Sequence, residues 1–371
     1  MTEPPERRRR PASWHGIRGF PPLGRRAICL QNFTWPKTIN RPTHFRRPPP
    51  RLLVMKSIDR FDDVNAHAAS IKHWSQTYSQ ISAGSLESSL MQLASARCHL
   101  FRERINQRVV QHGAAPSGKI CFAIPISASG SVVMQGRKAD CNSVLFLRGG
   151  DEFMFHMPTG MDMLSINFDR DMFESALSTL TNAHEITTLL KQPVIRLPKQ
   201  RLNACRRRLL AIFSEAFFDD EGGTIQHDEG AFVQFVLHEM IRLISSPDCN
   251  LRQRNGSSTQ SFIVEKCHHL AMSERIDVPS VMELCQQLQV SRRTVQNSFR
   301  SVTGTTPVNY LRSVRLNGVR RSLMSTPSSK LLIGDAAARW GFFHLSHFAE
   351  DYLELFGELP SHTKRPVRKD G

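Results

Sequence analysis

An apolar stripe that occurs twice constrains this chain more than any other feature. Val281, Leu284, Cys285 and Leu288 fall at i, i+3, i+4 and i+7, the spacing of a helix buried along one face. Ile333, Ala336, Ala337 and Trp340 repeat that spacing 52 residues later. After the first stripe, Val290 and Ser291 make a tight turn, and Ser291 caps a second helix whose inner face is Val295 and Phe299. After the second, Gly341 makes the turn and Phe342 takes the place of Val290, while Phe348 and Tyr352 hold the inner positions at an offset of 53. One extra residue in the second turn accounts for the change. Two matched helix-turn-helix units so close together are a repeat, not a coincidence.

The connection fits the same plan. Thr306 caps, and Pro307 opens, a helix that runs to about Met324 and stops at Ser325-Thr326-Pro327. About 18 residues at 1.5 Å each make a rod of about 27 Å. With a helix packed at each end, such a rod sets two outward helices about 34 Å apart, one turn of DNA. The outer face of the first helix carries Arg292, Arg293, Gln296, Asn297 and Arg300; that of the second carries Leu345, Ser346, His347 and Glu350. The polar members of these sets are suited to guanine and adenine edges or to phosphates, and they are the expected DNA-binding residues.

Charge supports a polyanionic partner, but unevenly. The 371 residues hold 49 Lys and Arg against 33 Asp and Glu, a formal charge of +16. Residues 1–54 alone contain 12 of the basic residues, two acids and 10 of the 21 prolines. They read as a disordered basic, Pro-rich arm, or as a translation start placed upstream of Met55. No apolar run approaches the ~20 residues that span a bilayer, and prolines interrupt every candidate signal core. The eight cysteines are scattered without a CxxC pair, so neither a zinc ribbon nor a disulfide framework is indicated. A cytoplasmic, nucleoid-associated chain with no membrane partner, no metal and no cofactor is expected.

Upstream of the repeat the pattern changes. Short runs rich in Val, Ile, Phe and Leu at 100–111, 119–126, 132–135, 144–147, 153–157 and 163–168 alternate with glycine-bearing turns. Amphipathic helices follow at 201–218 and 231–244. The expected class is α+β: a small β-barrel or cupin-like sensor with a helical, dimerising segment over 55–246, a polar linker at 247–258, an all-α double helix-turn-helix domain over 259–362, and a basic tail at 363–371.

Several local signals have bland readings. The stretch from Gly113 to Lys119 nearly spells a phosphate-binding loop, but Ile120 replaces the Mg²⁺-holding Ser or Thr and a strand follows, so a turn is expected. Residues 148–151 read as a hairpin turn, with Arg148 and Asp151 as the polar groups it would offer at the mouth of a barrel. Cys98 and Cys267, each followed by a histidine, read as packed thiols. His344 and His347 lack a third metal ligand nearby. Arg312, Arg315, Arg320 and Arg321 on the connecting helix are expected to meet phosphates or to pair with Asp335 or Glu350, Arg315 being structural.

These residues carry a family resemblance. The run Leu284…Val290-Ser291-Arg292-Arg293-Thr294, then Phe299, Gly304, Thr306-Pro307, Tyr310-Leu311, Arg315-Leu316 and Arg320…Leu323, is similar to the DNA-binding domain of AraC/XylS-type bacterial transcription regulators. The second half continues it with Ala336-Ala337…Trp340-Gly341-Phe342, Ser346-His347-Phe348, Tyr352 and Phe356-Gly357…Pro360-Ser361. Within the family, Gln296-Asn297 and Arg315-Leu316-Asn317…Arg320-Arg321 look most like regulators of ethanolamine-utilisation operons. Glu350 and Asp351 stand where many members carry Arg or Lys. The resemblance implies a DNA-binding activator with double-stranded promoter DNA, RNA polymerase and a small-molecule effector as partners, and it leaves a homodimer open. The alternatives are an enzyme or repair protein fused to such a domain, and a ligand-independent DNA binder; neither Cys98 nor Cys267 lies in the Pro-Cys-His-Arg setting of the related repair methyltransferases.

Overall fold

A computed structural model describes residues 54–218, 229–245, 259–272 and 279–366. The expected arm at 1–54 apart from Val54, the expected linker at 247–258, and the expected tail at 363–371 from 367 onward lie outside the described residues.

The β-rich half begins earlier than its apolar runs. Strand β1 (Met55–Phe61) leads into helix α1 (Val64–Ser70), which Asp63 caps by accepting from the amides of Asn65 and Ala66. Strands β2 (Ser75–Gln80), β3 (Ser88–Ala94), β4 (Cys98–Ile105), β5 (Val109–Ala114) and β6 (Lys119–Ser127) follow. Then come β7 (Val132–Met134), β8 (Arg137–Ala139), β9 (Ser143–Arg148), β10 (Glu152–Met157) and β11 (Met161–Asp169). Helices α2 (Arg170–Ser178) and α3 (Ala183–Leu189), strand β12 (Val194–Arg196), and helices α4 (Lys199–Phe218) and α5 (Glu229–Ile244) complete this half.

The strands form two antiparallel sheets. The larger has the order β1-β3-β4-β11-β6-β9-β12 and the smaller β2-β5-β10-β7-β8. They face each other as a sandwich and do not close into the expected barrel. Two local expectations change with them. The apolar run at 100–111 is two strands, β4 and β5, in different sheets. The turn at 148–151, closed by the Asp151 amide on the Arg148 carbonyl, crosses from the larger sheet to the smaller and so is not a hairpin. The stretch before β6 is the expected turn, with the Lys119 amide donating to the Pro116 carbonyl at 3.2 Å.

Period-two alternation sorts the core into layers. In the larger sheet, Leu100, Phe122, Val144, Leu164 and Ile166 pack against the apolar faces of α2 to α5. Their neighbours Phe101, Cys121, Leu145 and Met163 point instead at the smaller sheet, where Tyr78, Val109, Met134 and Phe155 meet them. The smaller sheet is also buried on its far side. There Val110, Val133 and Met154 pack on Ile263, Val264 and Cys267 of helix α6 (Thr259–Met272).

The helical half continues with α7 (Val281–Gln287), α8 (Arg292–Thr303), the connecting α9 (Pro307–Ser325), α10 (Ile333–Arg339) and α11 (Leu345–Phe356). A 3₁₀ turn, Pro360–His362, ends it. Thr306 caps α9 by accepting from the Asn309 amide, with Pro307 at its first position. Val295, Phe299, Tyr310 and Val314 bury the first unit. Leu316, Trp340, Phe348 and Tyr352 bury the second. Trp340 lies flat on Gly318 of α9, where an added Cβ would sit 2.5 Å from its ring. Among the described residues no helix is long and apolar enough to cross a membrane.

Candidate nucleic-acid interface

The repeat extends to individual backbone turns. After α7 the Val290 amide donates to the Cys285 carbonyl, and after α10 the Phe342 amide donates to the Ala337 carbonyl, both at 3.0 Å. Each turn places one residue in the left-handed region to make that bond. In the second unit it is Gly341 at φ 78°; in the first it is Gln289 at φ 52°. A side chain there costs about 1–2 kcal/mol that glycine avoids. Gln289→Gly is therefore expected to raise stability by up to about 1 kcal/mol once its added chain entropy is counted. Urea melts of the two proteins check this, and a loss of stability would contradict it.

Both outward helices also end alike. Gly304 at φ 70° and Gly357 at φ 75° take the left-handed cap, 53 residues apart. Their entrances differ. Ser291 accepts from the Thr294 amide at 3.1 Å, whereas His344 gives α11 no side-chain cap.

The outward side chains lie where the sequence puts them. Arg292, Arg293, Gln296, Asn297 and Arg300 are all exposed on one face of α8, and Leu345, Ser346, His347 and Glu350 are exposed on α11. The two faces differ in charge: α8 carries three arginines and no acid, while α11 carries Glu350, Asp351 and Glu354 and no Lys or Arg. Asp351 is turned aside to Arg312 of α9 at 3.1 Å, and Glu350 lies 3.6 Å from His347. Arg312 thus pairs with Asp351, where Asp335 or Glu350 was expected. Arg315 stacks 5.2 Å over Phe342, a structural placement.

Arg320 and Arg321 turn away from the two outward faces; Arg320 bridges the second unit and the sheet domain, and Arg321 reaches Met272 of α6. Arg320 Nε donates to Asp63 Oδ2 at 2.6 Å and Nη1 to Glu358 Oε1 at 2.7 Å. Asn317, one turn earlier, accepts from the Gln80 amide at 2.9 Å and donates to the Gln80 carbonyl at 2.8 Å. It holds the end of β2 as a neighbouring strand would. The Gln80 side chain donates to the Leu355 carbonyl, Gly84 N–H to the Glu354 carbonyl, and Arg108 to the Thr303 carbonyl. The helical half is therefore docked on the sheets by its rear surface, with its outward faces uncovered. Periodicity gave no sign of these contacts, because Asp63, Gln80, Arg108 and Asn317 look like ordinary surface residues.

A histidine cluster lies in the dock. His268 of α6 meets His112 of β5 at 3.3 Å and the Tyr310 hydroxyl at 2.9 Å, and the His156 ring of β10 lies tilted against Tyr310 at 6.0 Å between centroids. Burial lowers the pKa of all three histidines, to about 4 for His112, about 3 for His156 and well below the usual value for His268. Arg321 and His269 add to the lowering at His112 and His268, and Arg108 at His156. The docked imidazoles are neutral. As pH falls from the ordinary 6.5 toward 4, unfolded chains bind protons that the docked state refuses, so this contribution is intact above 6.5 and lost through that window. Thermal melts at pH 7.5 and 5 are expected to show a lower Tm at pH 5, and His268→Gln should flatten the difference. An unchanged slope in that variant would remove the cluster as the cause.

The described cysteines are free thiols. Burial raises Cys98 far above its usual range and pushes Cys121, Cys205 and Cys267 up to about 12. Such thiols are poor nucleophiles. Among the described residues no group of three His, Cys, Asp or Glu side chains could hold a metal ion.

Between the two sheets is a cavity of about 40 Å³ lined by aromatic rings and a few polar groups. Glu103 of β4, 2% exposed, lies on its wall and accepts from the Tyr78 hydroxyl at 2.8 Å. Burial, with the Glu103 charge beside it, holds the Tyr78 phenol well above its usual pKa, so it remains a donor.

Two helix-turn-helix units on one connecting helix, docked on a two-sheet domain, define a protein with a DNA-binding C-terminal half. Residues 284–366 match the family model described as a helix-turn-helix domain. The chain is 38% identical over 91 residues to the XylDLEGF operon transcriptional activator of Pseudomonas putida, covering 24% of this chain and 28% of that one. It is 40% identical over 84 residues to XylDLEGF operon transcriptional activator 2 of the same species, covering 23% and 54%. The chain thus spans between about a quarter and about half of these relatives. The AraC-like transcriptional activator CuxR is 11% identical over 78% of this chain and all of its own, with a TM-score of 0.38. What the chain carries is an AraC/XylS-family helix-turn-helix domain.

Proposed function

We propose that this protein is a sequence-specific, DNA-binding transcription regulator of the AraC/XylS type. The observation that carries the reading is the pair of repeated units, each presenting a solvent-exposed outward helix while its rear surface is fixed. The cationic α8 is the principal reader, with Arg293, Gln296 and Asn297 on base edges and Arg292 and Arg300 toward phosphates. Helix α11, through Leu345, Ser346, His347 and Glu350, takes the adjacent major groove with less electrostatic pull. The relatives' names support an activator of an operon; that the operon is catabolic, such as one for ethanolamine utilisation, is the sequence resemblance's own suggestion. RNA polymerase, a second copy bound through α4 and α5, and a cytoplasmic, nucleoid-associated setting belong to the same reading.

Control by a small molecule has a physical route. The cavity lies against one face of the smaller sheet and α6 against the other. On β5, Gln111 lines the cavity while its neighbour His112 meets His268 of α6. A guest that shifts β5 inside changes what the helical half rests on outside. Control requires only that the guest bind the docked and undocked states unequally.

The deciding experiment is selection of DNA from a random pool by the full chain, followed by titration against scrambled DNA at physiological salt. A preference of ~10³ or more, with two blocks one helical turn apart, is expected. A single block would demote α11 to a positioning role, and no enrichment would overturn the reading. On the selected site, Arg293→Ala should cost about 1–3 kcal/mol and leave scrambled DNA nearly unaffected. An equal loss on both DNAs would make Arg293 a phosphate contact.

A further inference from the structure

Two segments cross between the sheets side by side. Residues 81–87 run from β2 to β3, and residues 106–108 run from β4 back to β5. They are stitched to each other. The Ile81 amide donates to the Arg108 carbonyl at 2.8 Å and the Arg108 amide to Ser82 Oγ at 2.7 Å. Ser82 Oγ–H donates to Gln107 Oε1 at 2.6 Å, and Gln107 Nε2 to the Ser85 carbonyl at 3.0 Å. Strands β2 and β5 are themselves paired, with Gln80 opposite Val109, so the two segments form one braced piece.

That piece meets the C-terminal end of each outward helix. Arg108 Nη1 donates to the carbonyl of Thr303, the last residue of α8, at 2.9 Å, and an added Cβ on Gly304 would lie 3.0 Å from the same nitrogen. The Gln80 side chain donates to the Leu355 carbonyl of α11 at 2.6 Å, and the Gly84 amide to the Glu354 carbonyl at 3.0 Å. Ser85 packs so closely on Gly357 that an added Cβ would collide with its hydroxyl. The last carbonyls of a helix have no partner within it, so these bonds satisfy groups that otherwise need water. The two cap glycines of the repeat are thus both covered by one piece of the sheet domain. Between them, Asn317 of α9 holds the main chain of Gln80.

The two units depend on these contacts unequally. The first shares a core with the outer face of the smaller sheet, whereas the core of the second contains no residue of either sheet. The second unit meets the sheet domain through polar contacts such as Gln80 to Leu355 and Arg320 to Asp63. Its other tie to the first unit is α9, a helix of 19 residues. Such a helix is ~28 Å long, and curvature at a radius of ~60–100 Å displaces its end by ~4–7 Å. That exceeds the ~3.4 Å step of one base pair, so α9 alone sets no exact spacing.

We propose that the braced segments are a gauge: they hold α11 at one distance and angle from α8 and so set the half-site spacing that the chain accepts. Arg108 and Gln80 are its positioning residues, and both act from the rear surface. The inference rests on the regulator reading. It adds that the sheet domain, and not the helical half alone, decides how far apart the two DNA blocks must lie.

The test uses the full chain and the selected DNA, rebuilt with the second block moved by one base pair in either direction. That shift carries the second groove ~3.4 Å along and ~35° around the duplex. The unmodified chain is expected to bind the selected spacing at least ~10-fold more tightly than either shifted site, the scale of losing one base pair's contacts. Arg108→Ala and Gln80→Met, made separately, should each cut that preference below ~3-fold while leaving binding to DNA with the first block alone unchanged. The two substitutions release different helices, so a variant that does not fold leaves the other to decide. Full preference in both variants, or equal binding at all three spacings by the unmodified chain, overturns the proposal. An equal loss on every DNA, the mark of a merely structural role, overturns it too. A single selected block would remove the gauge and leave the regulator reading standing, whereas no enrichment at all would remove that reading itself.

Discussion

Replacing Arg320 with alanine is expected to destabilise the chain by about 3–5 kcal/mol, the cost of leaving a buried charge without its partner. The stranded group is Asp63, 4% exposed, whose Oδ2 receives the Arg320 Nε proton at 2.6 Å. Burial works against the guanidinium's charge, but Tyr352, Asp63 and Glu358 outweigh it and hold its pKa above the usual value. The side chain also lies 4.6 Å over the Phe356 ring, so its loss opens the core of the second unit. Asp63→Ala should cost less, because Glu358 still answers Arg320 and only the α1 cap is lost with the pair. Urea melts of both variants and their double mutant give the coupling, and a value under ~1 kcal/mol would show that the pair is not what fixes the dock.

The second large effect concerns the first unit. Phe299 is fully buried, meets Tyr310 at 5.2 Å between ring centroids and shares its core with Val295 and Val314. Phe299→Ala should cost about 3–5 kcal/mol through lost burial and the cavity left behind. Its consequence is larger for DNA than for the fold, because Phe299 fixes the rotation of α8 and hence where Arg293, Gln296 and Asn297 point. Sequence preference should collapse, while the layer between the two sheets and the layer under α2 to α5, neither of which includes Phe299, stay packed. Undiminished preference in the variant would mean that α8 does not carry specificity.

How much could be read in advance follows from the kind of order each part uses. Helices α7 to α11 announce themselves because each has a buried stripe, because Ser280, Ser291 and Thr306 cap α7, α8 and α9, and because the pattern occurs twice. The strands with apolar cores, such as β6 and β11, were legible for a similar reason. Strands β2 and β3 were not. SQTYSQ and SSLMQLA alternate only weakly, since their buried positions include Ser79, Gln80 and Ser88. The exposure of the outward residues of α8 and α11 followed from helical phase alone. The dock did not, because contacts such as His112 to His268, Arg108 to Thr303, Asn317 to Gln80 and Gln80 to Leu355 join residues 156, 195, 237 and 275 positions apart, and several run to main-chain atoms. Glu103 was invisible too: in CHLFRERI it is one charge among several, and only the fold turns it inward while Arg102 and Arg104 pair with Asp162 outside.

The grip of Asn317 on β2 has a consequence for how this architecture can vary. Its two bonds go to the amide and carbonyl of residue 80 and none to that residue's side chain. An attachment made to main chain tests the path of a strand and is indifferent to which amino acid occupies it. Sheet domains of unrelated sequence could then be exchanged on a common helical half, provided that their equivalent strand ends at the same place and angle. Divergence among such sheet domains would cost this fastening little, leaving their interiors free to change.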